Sequence, residues 1–230
     1  TIINASIENV RTTQRGTNIG NGKEVIYTVE HVLSACAGLD IDDLDMELNE
    51  AEPPAMDGSA MPFAEAFLKT GIKIKNDSEK NFLTCEKEFK VQFGDAEYHV
   101  KPYNGVFVRM VYKNAHKLVG TQIAEFEWTP ENYVSQIAPA RTFGFMDEVE
   151  QLKAKGLALG GSLDNAVIID KDRILTSSGS LRFENEFARH KLLDLLGDLK
   201  LTGKSLKNIW IEAISTSHSA NIDFVREFQK

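Results

Sequence analysis

The stretch Arg189-His190-Lys191-Leu192-Leu193-Asp194-Leu195-Leu196-Gly197-Asp198 decides how the chain is read. Wound as a helix at about 100° per residue, it separates into two arcs. Leu192, Leu195, Leu196 and Leu199 share one side. His190, Asp194 and Asp198 run along the other, each four residues after the last, with Lys191 at the edge. An imidazole and a carboxylate one turn apart on one face can close on a single metal ion. The same spacing also makes a plain ion pair on a solvated helix surface. This stretch alone does not choose between the two.

Outward from it, the chain has 230 residues, 42% hydrophobic and 26% charged, the composition of an ordinary globular protein long enough for a sizeable core. A net charge of −8 excludes a general nucleic-acid binder, which needs a basic field. No run approaches the ~18 consecutive apolar residues of a membrane span, so peripheral membrane contact is the most that is expected. The start, Thr1–Ser6, lacks the charged and apolar regions of a signal peptide. Cys36 and Cys85 form no CxxC pair and read as free thiols in a reducing compartment, with the cytoplasm as the expected location.

Residues 1–23, with Gly16, Gly20 and Gly22, read as a short strand and a loop. Thr28 is placed as the cap of a helix over Val29–Ala37 that stops at Gly38. Leu44–Leu48 alternates like a strand, Asp57 and Ser59 read as turn and cap residues, and a helix over Ala60–Thr70 ends at Gly71. A short strand, Ile72–Lys75, precedes the linker-like Asn76–Lys80, which places a boundary between domains 1–80 and 81–230. Strands are expected over Phe82–Phe93, Ala96–Tyr103, Val106–Tyr112 and Thr121–Trp128, then helices over Pro130–Ile137 and Met146–Lys155. A strand at Asn165–Asp170, the central helix at Glu186–Leu199, a strand at Leu206–Ser215 and a helix at His218–Phe228 complete the chain. Strands followed by helices, twice over, give an α+β class: two domains, each a sheet layered with helices.

Five histidines are present. His99 falls within a strand and His116 in a polar turn, so both read as structural or solvated. His31 follows Glu30 at a helix start, and His218 sits at a strand-to-helix junction, Ser215-Thr216-Ser217-His218-Ser219. A catalytic zinc site takes about three protein ligands and keeps a position open. His31, His190 and Asp194 meet that count, with Glu30 adjacent as a base. The HExxH signature is absent, and spacing cannot bring residues so distant in sequence together.

Several ordered blocks resemble one known family. They are Thr28-Val29-Glu30-His31-Val32-Leu33-Ser34-Ala35, Glu52-Pro53-Pro54-Ala55-Met56-Asp57-Gly58-Ser59 and Ala140-Arg141-Thr142-Phe143-Gly144-Phe145. Leu157-Ala158-Leu159-Gly160-Gly161-Ser162, Asn165-Ala166 and the Arg182–Leu199 segment follow in the same order. The family is that of the UDP-3-O-acyl-N-acetylglucosamine deacetylases, zinc amidases of the committed step in lipid A biosynthesis.

The resemblance implies roles position by position. His31, His190 and Asp194 resemble the metal ligands, for zinc, with Fe(II) also able to fill such sites. Glu30 resembles the general base, His218 the general acid and Asp198 the aspartate that orients it. Thr142 matches a hydroxyl near the oxyanion, Phe143 a substrate-contacting aromatic, and Lys191 a lysine near the substrate's polar groups. An insert around residues 141–162 is expected to enclose the fatty acyl chain, with an ordinary amphipathic helix as the alternative. The active site is expected at the domain interface, and the implied partner is a small molecule, an acylated UDP-amino sugar. Two departures stand out. Only 27 residues precede Thr28, so the first domain is expected to be truncated at its start, and Ser215 and Thr216 stand where the family often has a basic residue. A catalytically silent lipid- or nucleotide-binding relative, or a zinc amidase acting on another acylated amino sugar, are the alternative functions.

Overall fold

The structure, a computed structural model, describes residues 1–75, 79–149 and 160–230. The first segment folds as a small antiparallel sheet of β1 (Val10–Thr12), β2 (Asn18–Gly20) and β3 (Val25–Ile26), followed by α1 (Glu30–Gly38) and α2 (Met61–Thr70). α2 stops where expected, at Gly71, which takes φ of 84° and donates its N–H to the Phe67 carbonyl. Next come β4 (Phe82–Leu83), β5 (Phe89–Phe93), β6 (Ala96–Pro102), β7 (Val106–Lys113) and β8 (Thr121–Glu127). α3 (Pro130–Asn132) runs into a π-helical turn, Tyr133–Ile137. The chain closes with β9 (Phe143–Phe145), β10 (Val167–Ile169), β11 (Ile174–Leu175), α4 (Glu186–Lys200), β12 (Ser205–Leu206), β13 (Ile209–Ile214) and α5 (His218–Phe228).

The main sheet has the order β5-β6-β13-β7-β8, antiparallel throughout except for the parallel pair β13 and β7. Along β13, Ile209, Ile211 and Ala213 are buried, while Trp210, Glu212 and Ile214 are partly exposed. One sheet face is therefore covered and the other faces water. The cover is α4, which crosses β7 and β8, together with α5 beside it over β5. Tyr98 of β6 stacks on Phe224 of α5 with ring centroids 4.2 Å apart. α1 packs on α4.

The helix identified from the sequence is thus covered on both sides. Its leucines fill the hydrophobic core against the sheet, each stabilising the fold by roughly 1.5–3 kcal/mol. His190, Asp194 and Asp198 are at most 3% exposed. A solvated polar arc is ruled out by that burial: these groups face α1, where each needs a partner.

Several local expectations do not hold. Leu44–Leu48 and Ile72–Lys75 form no strands, because alternation needs a neighbouring edge to pair with, and Leu44, Met46 and Ile74 stay exposed. Thr28 does not cap α1: it adopts φ of 54°, and its N–H is taken by the Asn18 side chain. The run Phe82–Phe93 breaks into β4 and β5, and Leu206–Ser215 divides between β12 and β13, where Asn208 turns through a positive φ. The expected helix Pro130–Ile137 forms with a π turn in its second half. Of the expected helix Met146–Lys155, residues 146–149 are helical and 150–155 lie outside the described residues, as do 150–159 of the substrate insert and 76–78 of the linker. Among the described residues, no helix is long and apolar enough to cross a membrane.

Candidate metal centre

Close packing of two helices builds the site. At Gly197 a Cβ would run into the backbone carbonyl of Glu30, so the glycine lets α4 draw up against the first turn of α1. That turn is fixed from the other side by the β2 segment. The Val29 N–H donates to the Thr17 carbonyl, and the Asn18 carboxamide oxygen accepts from the Thr28 N–H. Glu30 and His31 therefore face the polar arc of α4. Farther along α1, Gly38 rests on the Tyr133 ring, and the Tyr133 hydroxyl donates to Ser34 at 3.0 Å.

His31, His190 and Asp194 each offer a ligand atom, and these atoms lie within 4.8 Å of one another. Asp194 Oδ1 stands 3.4 Å from His190 Nε2 and 3.9 Å from His31 Nε2. The two imidazoles meet edge to face, centroids 5.1 Å apart. His190 Nδ1 donates to the Ala140 carbonyl at 3.1 Å, which turns the Nε2 lone pair towards Asp194. Burial lowers the pKa of both histidines, that of His31 to about 3, so both stay neutral, the form that ligates metals. Burial disfavours the Asp194 anion, but the positive groups around it, Lys191 and His218 among them, outweigh it and hold the carboxyl far below the usual range. Asp194 Oδ1 is nonetheless buried with no hydrogen-bond partner among the described residues. A buried carboxylate oxygen left unpaired is costly, and a cation between the two imidazoles would satisfy it. The residues present fit a divalent metal of the zinc type.

A second group flanks this one. His218 opens α5, whose first turn is capped by the Ser217 hydroxyl accepting from the Ala220 N–H. Its Nε2 points at Glu30 Oε1, 3.9 Å away, and at Asp194 Oδ2, 3.8 Å away. Its Nδ1 lies 3.5 Å from Asp198 Oδ2. Burial opposes the imidazolium, but Asp194, Asp198 and Glu30 outweigh it and raise the His218 pKa to about 9. Burial pushes Glu30 the other way, up to about 7, against the pull of His218. A base raised to about 7 and an acid raised to about 9 thus stand beside one another and beside the metal-type cluster.

Of the other sequence-derived residues, Lys191 and Phe143 lie beside this cluster. Lys191 Nζ donates to Asp194 Oδ2 at 2.9 Å and stands 5.5 Å from the centre of the Phe143 ring. Phe143 also contacts His190 and Phe187, with centroids 6.0 and 4.7 Å apart. Thr142 is held by its backbone, its N–H donating to the Gly58 carbonyl at 2.7 Å. Asp57 and Ser59 make the expected turn: Asp57 Oδ1 accepts from the Ser59 N–H and hydroxyl.

Sequence reasoning missed the supports. Arg141 and Glu186 form a buried pair: Glu186 Oε1 accepts from the Arg141 backbone N–H at 3.0 Å and from Nε at 2.8 Å. That bond pins the peptide after Ala140, the carbonyl that orients His190. Asp198 is fully buried, and its Oδ2 accepts from Asn221, whose side-chain oxygen accepts from the Tyr98 hydroxyl. Asn221 was within reach, since it follows His218 by three residues on one helix. Thr17, whose hydroxyl donates to Asp198 across 181 positions, left no signal in its own loop.

Known proteins resemble the chain over nearly all of its length. The family model described as LpxC, UDP-3-O-acyl N-acetylglycosamine deacetylase, matches residues 1–230. The chain is similar to the UDP-3-O-acyl-N-acetylglucosamine deacetylase of Campylobacter fetus, 42% identical over 217 residues, covering 94% of this chain and 73% of that protein. The like-named proteins of Thioalkalivibrio sulfidiphilus and Teredinibacter turnerae are 40% and 41% identical, over 97% and 99% of this chain and 73% and 75% of their own.

Proposed function

The chain belongs to the UDP-3-O-acyl N-acetylglycosamine deacetylase family, and on that basis we propose that it hydrolyses the N-acetyl group of UDP-3-O-acyl-N-acetylglucosamine and releases acetate, the committed step of lipid A biosynthesis. The family's enzymes are metal-dependent hydrolases of a small-molecule substrate. Our reading assigns zinc to His31, His190 and Asp194, with Fe(II) as the competing ion, and places the enzyme in the cytoplasm. Residues 1–80 and 81–230 form the two domains of this reading, Glu30 and His31 being the contribution of the first to the site. The single observation that carries it is the unpartnered Asp194 Oδ1 between two neutral imidazoles, with Glu30 and His218 alongside.

A zinc ion at this position supplies a Lewis acid that acidifies water and polarises a carbonyl. Glu30 acts as base. Its Oε2 is occupied by the Thr17 N–H at 2.8 Å, which leaves Oε1, on the His218 side, to take a proton from water as the oxygen attacks the acetyl carbon. The developing oxyanion is met by the Thr142 hydroxyl and by the charge of Lys191, which Asp194 sustains against burial. Breaking the C–N bond then needs a proton on nitrogen. His218 gives it from Nε2, the ring atom on the Glu30 side, while Nδ1–H stays directed at Asp198. Phe143 lines the substrate side of the metal group, and the insert at 141–162 is the proposed enclosure for the acyl chain.

Acetate release from UDP-3-O-acyl-N-acetylglucosamine by the metal-loaded chain tests the reading. Glu30→Gln and His218→Ala are each expected to lose about 100-fold or more in kcat while keeping their metal. Binding of the acylated nucleotide with no acetate released would favour the silent relative.

A further inference from the structure

We propose that Thr17 is a positioning residue that locks the base and the acid of this site to one another, a role that rests on the deacetylase reading above. Three of its groups engage the machinery. Its backbone N–H donates to Glu30 Oε2 at 2.8 Å. Its carbonyl accepts from the Val29 N–H at 3.0 Å, which holds the peptide leading into Glu30. Its hydroxyl donates to Asp198 Oδ1 at 2.5 Å and lies 3.4 Å from His218 Nδ1.

The hydroxyl carries the argument, because it has one hydrogen and two lone pairs. Once that hydrogen goes to Asp198, only lone pairs face His218, so the ring nitrogen beside them must be a donor. Nδ1 therefore carries the proton held by Asp198 and Thr17, and Nε2 is the atom left facing Glu30 and Asp194. Asp198 cannot hold this arrangement alone. Asn221 satisfies its Oδ2, and the Thr17 hydroxyl is the sole side-chain partner of Oδ1 among the described residues. Without that hydroxyl, Oδ1 is buried and unpaired, and the carboxylate is free to turn away from the histidine. Gly16 belongs to the same device: a Cβ there would stand 2.9 Å from Glu30 Oε1, so the residue before Thr17 must be small for the base to sit where it does.

Thr17 is fully buried and lies on the loop entering β2, far in sequence from the residues that it orders. It touches neither the proposed metal ligands nor, in this reading, the substrate. Its effect should appear as misalignment rather than as lost binding.

The test compares the wild-type chain with Thr17→Val, Thr17→Ser, Asp198→Asn and the Thr17→Val/Asp198→Asn double variant. With the metal loaded, Thr17→Val is expected to lower kcat about 10- to 100-fold with KM nearly unchanged, at wild-type metal content. Thr17→Ser is expected to recover most of that loss. In the Asp198→Asn background, Thr17→Val is expected to add little, since the two act as one unit. Histidine-selective nitrogen NMR of the metal-free chain reads the His218 ring without turnover. Thr17→Val should shift the His218 signals and leave those of His99 and His116 in place. If the wild-type chain releases no acetate, the deacetylase reading fails, and the NMR comparison still decides the role of Thr17. Unchanged His218 signals in Thr17→Val overturn it, as does a Thr17→Ser variant no better than Thr17→Val.

Discussion

Replacing Gly197 with alanine tests whether the approach of α1 and α4 sets the site. The added Cβ would stand 3.0 Å from Glu30 Cα and nearer still to its carbonyl group. Both neighbours are backbone within helices, so no side chain can swing aside, and the helices must part by on the order of 1 Å. Overpacking of this kind costs about 1–3 kcal/mol, offset by about 1 kcal/mol for alanine over glycine in a helix. The fold should survive with a modest drop in Tm. The site should not. His31 and Glu30 ride on α1, His190 and Asp194 on α4, so the 3.9 Å separation of His31 and Asp194 widens directly. Metal–ligand bonds of about 2.0–2.2 Å do not tolerate such a change. Metal affinity is expected to fall about 10- to 100-fold, and turnover at saturating metal about 100-fold. Competition with a chromophoric chelator, acetate release and thermal melts read these separately. A variant with lowered Tm but wild-type metal affinity and kcat/KM would refute the reasoning.

Other expectations follow from the charges. The pH profile of kcat should be bell-shaped, rising as Glu30, raised to about 7, loses its proton and falling as His218, raised to about 9, loses its own. Asp198→Asn removes one of the groups that raise His218, so the alkaline limb should move to lower pH; an unmoved limb would place the acid elsewhere. Burial opposes the Glu186 anion, but hydrogen bonds from Arg141 and Arg182 and the Arg141 charge outweigh it and hold its pKa below the ordinary carboxylate value. Its contribution to stability is therefore complete above the unfolded value, near 4.3, and lost as pH falls through the folded one. Glu186→Gln leaves Arg141 buried without its counter-charge and should cost about 3–5 kcal/mol by urea unfolding at pH 7, and a cost under about 1 kcal/mol would show that the pair is not a structural anchor.

Much of this site was legible because its chemistry is concentrated in short-range patterns. His190, Asp194 and Asp198 fall on one helical arc whatever surrounds the helix, and Glu30-His31 and His218 mark helix starts. What the arc faced was not legible, since a polar stripe looks the same towards water as towards another helix. Gly197 held that information, but only the position of Glu30 gives it meaning. Leu44–Leu48 failed for the converse reason: alternation records two faces, and pairing needs an edge that the sequence does not name. Thr17, Arg141 and Glu186 act through single contacts over long separations, which leave no period to detect.

Metal content of the purified chain, beside that of His190→Ala, tests the central claim most directly. The account predicts about one divalent ion per chain, as in single catalytic zinc sites, and its loss in the variant while the melting transition persists. Wild-type chain that stays metal-free after zinc is added, or a variant that keeps its ion, would contradict the assignment of His31, His190 and Asp194.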